Sequence, residues 1–99
     1  MEIINPATGT VIQTVAEDGK AGLDAKLAVL KAAQPAWAAL PLTQRVGILR
    51  QFSELLESEK NTLAATLTAE MGKPLQQAVN EINGARTRIK WLLENAAKY

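Results

Sequence analysis

The sequence predicts a mostly α-helical chain opened by a short N-terminal β-hairpin, and three observations predict it. β-Branched residues gather on both sides of Asn5-Pro6-Ala7-Thr8-Gly9 within the first sixteen positions. From Asp18 onward apolar residues recur at steps of three and four. Pro and Gly fall where those apolar runs stop.

Ile3 and Ile4 precede the turn signal and Val11, Ile12 and Val15 follow it, which assigns residues 1–16 to two short strands. A lone hairpin is barely stable in water, so these strands must lie on helices or extend a sheet that this chain does not contain. The helical period of residues 18–99 begins with Leu23, Leu27, Leu30 and Trp37 near one stripe, and Lys20, Asp24, Lys26 and Lys31 away from it. Glu17 and Asp18 stand where negative charge favours a helix N-terminus. Pro35 is expected to kink this helix or divide it in two, because its ring removes a donor and crowds the preceding turn.

Leu40-Pro41 marks a second break. The next helix carries Val46, Leu49, Phe52 and Leu56 on one side and Arg50, Gln51, Glu54 and Glu57 on the other, and its stripe is interrupted around Ser58-Glu59-Lys60-Asn61. Leu63, Leu67 and Met71 start a new stripe that stops at Gly72, a left-handed C-cap. Pro74 suits the first turn of a fourth helix, followed by Leu75, Val79, Ile82, Ile89, Leu93 and Ala96. Asn83-Gly84 resembles a hairpin turn but lies inside the helical period. As helix interior Gly84 costs about 1 kcal/mol relative to Ala, which marks either the close approach of another group or a harmless surface position. The helix reaches Tyr99 with no Gly, Pro or capping residue near its end, so the chain reads as cut short within a helix.

Composition narrows the function. Eleven basic against ten acidic residues leave a net charge of +1, with no basic stripe and interleaved aromatics, so nucleic acid is not an expected partner. No segment is apolar enough for a membrane span and no signal peptide opens the chain, so the expected compartment is the cytoplasm, without a membrane partner. With no Cys and no His, thiolate and imidazole chemistry and the metal sites built on them are unavailable within these residues.

The motif tests are negative. Gly72-Lys73 lacks the glycine five residues earlier and the hydroxyl residue after the lysine that a phosphate loop requires; Leu67 and Pro74 stand there. Gly19-Lys20-Ala21-Gly22 is no dinucleotide fingerprint. Glu54, Glu57 and Glu59 read as a solvated helix face. Arg86, Arg88 and Lys90, two residues apart, fan around their helix instead of forming a clamp. Thr8, Thr14, Ser53 and Thr68 have no histidine to activate them. The inventory predicts no self-sufficient active site.

Four patterns in register are similar to the N-terminal segment of the NAD(P)-dependent aldehyde dehydrogenase superfamily. They are Ile4-Asn5-Pro6-Ala7-Thr8-Gly9-Thr10-Val11-Ile12, Ala36-Trp37-Ala38-Ala39-Leu40-Pro41, Gln44-Arg45-Val46-Gly47-Ile48-Leu49-Arg50, and Thr68-Ala69-Glu70-Met71-Gly72-Lys73-Pro74-Leu75 with Glu81-Ile82. The resemblance covers all 99 residues. It implies a parent α/β fold with a Rossmann-like nucleotide-binding domain, of which residues 1–99 form the N-terminal part. It also implies oxidation of an aldehyde to a carboxylic acid by thiolate attack, hydride transfer to NAD or NADP, and hydrolysis. The family's catalytic Cys, general-base Glu and cofactor loop match no residue here, so the segment alone is expected to be inactive and to hold no cofactor. Its expected partners are the remainder of such a chain and further copies in a homo-oligomer.

By matching positions, the resemblance places Asn80, Gly84 and Arg88 toward the substrate tunnel, their four-residue steps sharing one helix face. Many relatives carry a bulky apolar side chain at one of these positions. Gly84 and Arg88 therefore imply either a wider entrance suited to anionic semialdehydes, or an arginine that simply points to solvent. Some members hold a structural monovalent cation on carbonyls and a carboxylate that correspond here to Ile3, Ile4 and Glu70, oxygen ligands that suit a hard cation. The competing expectation from the residues themselves is a free-standing helical adaptor, in which the same stripes close into a small bundle.

Overall fold

The computed structural model describes residues 1–98. Two strands, β1 (Glu2–Ile4) and β2 (Val11–Thr14), precede four helices: α1 (Lys20–Ala39), α2 (Leu42–Ser58), α3 (Lys60–Met71) and α4 (Leu75–Asn95). A 3₁₀ turn at Ala96–Lys98 follows α4.

The strands pair antiparallel, Glu2 opposite Thr14 and Ile3 opposite Gln13, before the register slips so that Ile4 faces Val11. The turn between them is closed by Asn5. Its side chain accepts from the Ala7 N–H at 2.9 Å, its carbonyl accepts from Gly9 N–H at 2.8 Å, and its own N–H donates to the Thr10 carbonyl at 2.9 Å. Gly9 supplies the positive φ of 72° that the return requires.

α1 is one continuous helix through Pro35. The expected division at that residue does not occur, because every α1 residue except Gly22 is exposed and the Lys31 carbonyl that loses its partner can bond water instead. The helix starts at Lys20 behind Gly19, with no side-chain cap and no acid in its first turn. Asp18 instead folds back against Gly22 and pairs with Lys26, while Glu17 pairs with the Met1 amino group at 2.9 Å. α2 and α3 share a single joint residue, Glu59, which ends one and begins the other. Gly72 closes α3 in the left-handed region at φ 68°, as its position predicts. Pro74 sits one residue earlier than expected, capping α4 from an extended conformation instead of entering its first turn. The α4 ladder stops at Asn95 and tightens to 3₁₀, short of the continuous run to Tyr99; Tyr99 lies outside the described residues.

The core is small and sits where α3 meets α4. Ala64 and Ala78 are fully buried and Ile82 nearly so, with Leu56, Leu67 and Val79 packed around them. Alanines at the contact let two helix backbones approach closely. The α1 stripe stays open, with Leu23, Leu27 and Leu30 exposed, and the α2 and α3 stripes are covered only in part, Phe52 and Met71 remaining exposed. The radius of gyration is 17.5 Å, where a globular chain of this length has roughly 13 Å. The accessible surface is 7584 Å², where a compact monomer of this mass exposes roughly 5,500 Å². These residues do not form the closed bundle that the adaptor reading requires.

Candidate functional site

α4 is the element on which the candidate residues meet, and it works on three faces. Ala78 and Ile82 point into the core, and Arg86 reaches α2. The third face carries Asn80, Gly84 and Arg88, all exposed and one turn apart. Asn80 Oδ1 accepts from Gln76 Nε2 at 3.1 Å, which holds its amide along the helix. A β-carbon on Gly84 would find no atom within 4 Å, so the close approach that this glycine raised as one alternative is not made by the described residues. Arg88 forms no ion pair with another described residue.

At the other end of the helical region, Pro6 of the hairpin turn lies against Gly72 in the α3–α4 junction. This contact brings the Asn-Pro turn beside the end of α3, where Glu70 is exposed. Ile3 is half-buried and Ile4 exposed on β1. The α3–α4 junction is itself tied down by Lys73, whose ammonium pairs with Glu81 of α4.

Sequence reasoning missed the ion pairs that join the helices. Arg86 donates through Nε to the Ser53 carbonyl at 3.1 Å and pairs through Nη1 with Glu57, while Lys60 reaches Glu57 at 2.7 Å. The fanning of Arg86, Arg88 and Lys90 holds, but fanning is what aims Arg86 alone at α2. Helical spacing reports which residues share a face and not what stands opposite, so the pattern carried no signal for these contacts. The Lys60 ammonium, and after it Arg86, hold the Glu57 carboxyl below its usual value. Among the hydroxyls, Thr8 is bonded to Thr10 at 2.7 Å and Thr68 Oγ1 is buried without a hydrogen-bond partner among the described residues.

A dinucleotide needs a strand, a glycine-rich turn and a helix N-terminus in sequence. The positive-φ glycines here are Gly9 in the hairpin and Gly72, which Pro6 covers. Neither glycine stands between a strand and a helix N-terminus.

The protein-family model described as the aldehyde dehydrogenase family matches residues 1–99. The chain belongs to the aldehyde dehydrogenase family. It is 39% identical over 98 residues to glutarate-semialdehyde dehydrogenase of Pseudomonas putida, a match that covers 99% of this chain and 20% of that protein. It is 34% identical over 98 residues to the Escherichia coli succinate-semialdehyde dehydrogenase GabD, whose name carries NADP(+), again covering 99% of this chain and 20% of the relative. The chain thus spans about a fifth of the length of these aldehyde dehydrogenases. The crystal structure of glyceraldehyde-3-phosphate dehydrogenase GapN from Methanocaldococcus jannaschii, complexed with NADP, superposes with a TM-score of 0.90 at 24% identity, over 96% of this chain and 21% of that one. That likeness shows that the hairpin and four helices take the aldehyde dehydrogenase arrangement. No helix among the described residues is long and apolar enough to cross a membrane.

Proposed function

We propose that these residues are the N-terminal part of the nucleotide-binding domain of an NAD(P)-dependent enzyme that oxidises a semialdehyde to a dicarboxylate. In this reading the 99 residues are inactive without the remainder of the chain, and the complete enzyme is a cytoplasmic homo-oligomer. The observation that carries the reading is the match to curated semialdehyde dehydrogenases over almost the whole chain, at 39% and 34% identity. The open build supports it: an accessible surface this large for the mass leaves apolar helix faces for further protein to cover.

The role of this segment toward substrate falls on the exposed face of α4. Asn80, Gly84 and Arg88 line the entrance, Gly84 leaving width and Arg88 offering a guanidinium to the carboxylate at the far end of the semialdehyde. Ile3, Ile4 and Glu70 hold a monovalent cation through two carbonyls and a carboxylate, bracing the hairpin against the end of α3.

The test is made in the complete enzyme. Arg88→Gln is expected to lower kcat/KM for succinate semialdehyde about tenfold relative to an uncharged aldehyde of equal length, the loss of one charge-assisted hydrogen bond. Equal effects on both substrates would remove Arg88 from recognition. Separately, the 99-residue chain mixed with semialdehyde and NADP should form no NADPH; turnover would overturn the assignment of catalysis to other residues.

A further inference from the structure

α4 is held differently along its length. In its first half Ala78 and Ile82 are buried against α3, and Lys73 pairs with Glu81 at the junction. Past Ile82 no described residue of the helix is buried, and Leu92 and Leu93 face Val46 and Leu49 of α2 across a gap of about 250 Å³. Apolar contact across an unfilled gap is non-directional, and it leaves the roll of a helix about its own axis loosely set.

Arg86 supplies the missing direction. Its Nε donates to the Ser53 carbonyl at 3.1 Å, a main-chain acceptor fixed by the α2 backbone, and its Nη1 pairs with Glu57 one turn further along. Glu57 is held in turn by Lys60 at 2.7 Å, across the corner into α3. Two bonds from one planar guanidinium to points four residues apart on α2 fix both the height and the roll of α4. Arg86 is half-buried and its bond to Ser53 partly so, which sets it apart from solvated surface pairs that contribute little.

Arg88 stands two residues on, about 200° around the same helix. Whatever Arg86 pins on one side is therefore presented by Arg88 on the other. At the helix surface radius of about 5–6 Å, a roll of about 10° carries a side chain about 1 Å, and misplacement on that scale costs up to about a hundredfold in rate. The charge of Arg86 has little direct reach across α4. Glu57 neutralises it, and the helix diameter of about 10–12 Å matches the Debye length of about 10 Å at 0.1 M salt.

We propose that Arg86 is a positioning residue for semialdehyde recognition, its anchorage on α2 setting the place at which Arg88 meets the substrate carboxylate. The inference deepens the semialdehyde reading of the α4 face and rests on it.

The experiment is a double-mutant cycle in the complete enzyme, with succinate semialdehyde and butanal as substrates. Arg86→Met is expected to raise KM for succinate semialdehyde about fivefold, with kcat and the KM for butanal staying within about twofold of the parent. Arg86→Lys, which keeps a charged donor toward Ser53 and Glu57, should bring KM back to within about twofold. In the Arg88→Gln background, Arg86→Met should move KM by less than about twofold, because no guanidinium is left to place. Equal effects in both backgrounds would overturn the proposal, Arg86 then acting on the substrate through its own charge. A kcat loss shared by both substrates would overturn it too, as the mark of a merely structural role. Arg88→Gln without effect on either substrate defeats the entrance reading itself, whereas an effective Arg88→Gln beside a silent Arg86→Met defeats this proposal alone. If Arg86→Met does not fold, Arg86→Gln replaces it in the cycle, with the same outcomes expected.

Discussion

A β-carbon placed on Gly72 would stand 2.8 Å from Pro6 Cγ, so the hairpin turn and the α3–α4 junction meet where only glycine fits. Gly72 also holds φ at 68°, a conformation that costs a side chain about 1–2 kcal/mol. Gly72→Ala is therefore expected to destabilise the chain by about 2–3 kcal/mol in urea titration, strain and overlap together. Amide exchange at Asn5 and Gly9 should accelerate in the same variant as the hairpin loosens. An unchanged midpoint would show that Pro6 and Gly72 do not bear on one another.

Gly84→Ala is expected to act in the opposite direction. Its position is interior to α4 and open on all sides, so the added methyl meets nothing and the unfolded chain loses freedom. Stability should rise by about 0.5–1 kcal/mol, visible as an increase of several degrees in Tm.

Ala78 is fully buried against α3. Ala78→Leu should cost about 1–3 kcal/mol by forcing α3 and α4 apart, whereas Ala85→Leu, at an exposed position of the same helix, should be near neutral. Thermal melts of the two variants make the comparison.

Acid should weaken the joint between α2, α3 and α4. The Glu57 carboxyl is lowered by its bond to Lys60 and by Arg86, so its contribution is present above the unfolded carboxylate pKa and fades as pH falls through the lower folded value. Glu57→Gln should therefore reduce stability near neutrality, and the gap to the parent chain should close progressively on acidification below about pH 4. A gap that stays constant in chemical denaturation down to pH 2 would refute the linkage.

The 99-residue chain is expected to self-associate at micromolar concentration and to bind a hydrophobic dye. Leu23, Leu27 and Leu30 share one face of α1 and are each about half or more exposed, an apolar stripe of the kind that soluble monomers rarely leave open. Sedimentation velocity makes the check, with Leu27→Glu/Leu30→Glu expected to restore the monomer; a monomeric parent chain would refute the expectation.

Much of this fold could be read before any coordinate. Asn5-Pro6-Ala7-Thr8-Gly9 announces the hairpin because each residue has a local job, and the left-handed end at Gly72 is equally local. Helix boundaries at Leu40-Pro41 and Ser58-Glu59 follow from interrupted stripes. Of the kink or division expected at Pro35, division does not occur, since on an exposed helix the freed carbonyl can bond water. The common face of Asn80, Gly84 and Arg88 is arithmetic on helical period and needed no structure. The bonds from Arg86 to Ser53 and Glu57 span 33 and 29 residues, and nothing in local pattern sets which helices become neighbours.

Glu59 ends α2 and begins α3 with a single backbone unit, its N–H bonded to Leu55 at 2.9 Å and its carbonyl to Leu63 at 3.0 Å. A corner with no spare residue behaves as a crank and not as a hinge. Any twist of α2 about its own axis must swing α3, and through Ala64 must press on α4 as well. Lengthening this elbow by one glycine would uncouple those movements while leaving each helix intact.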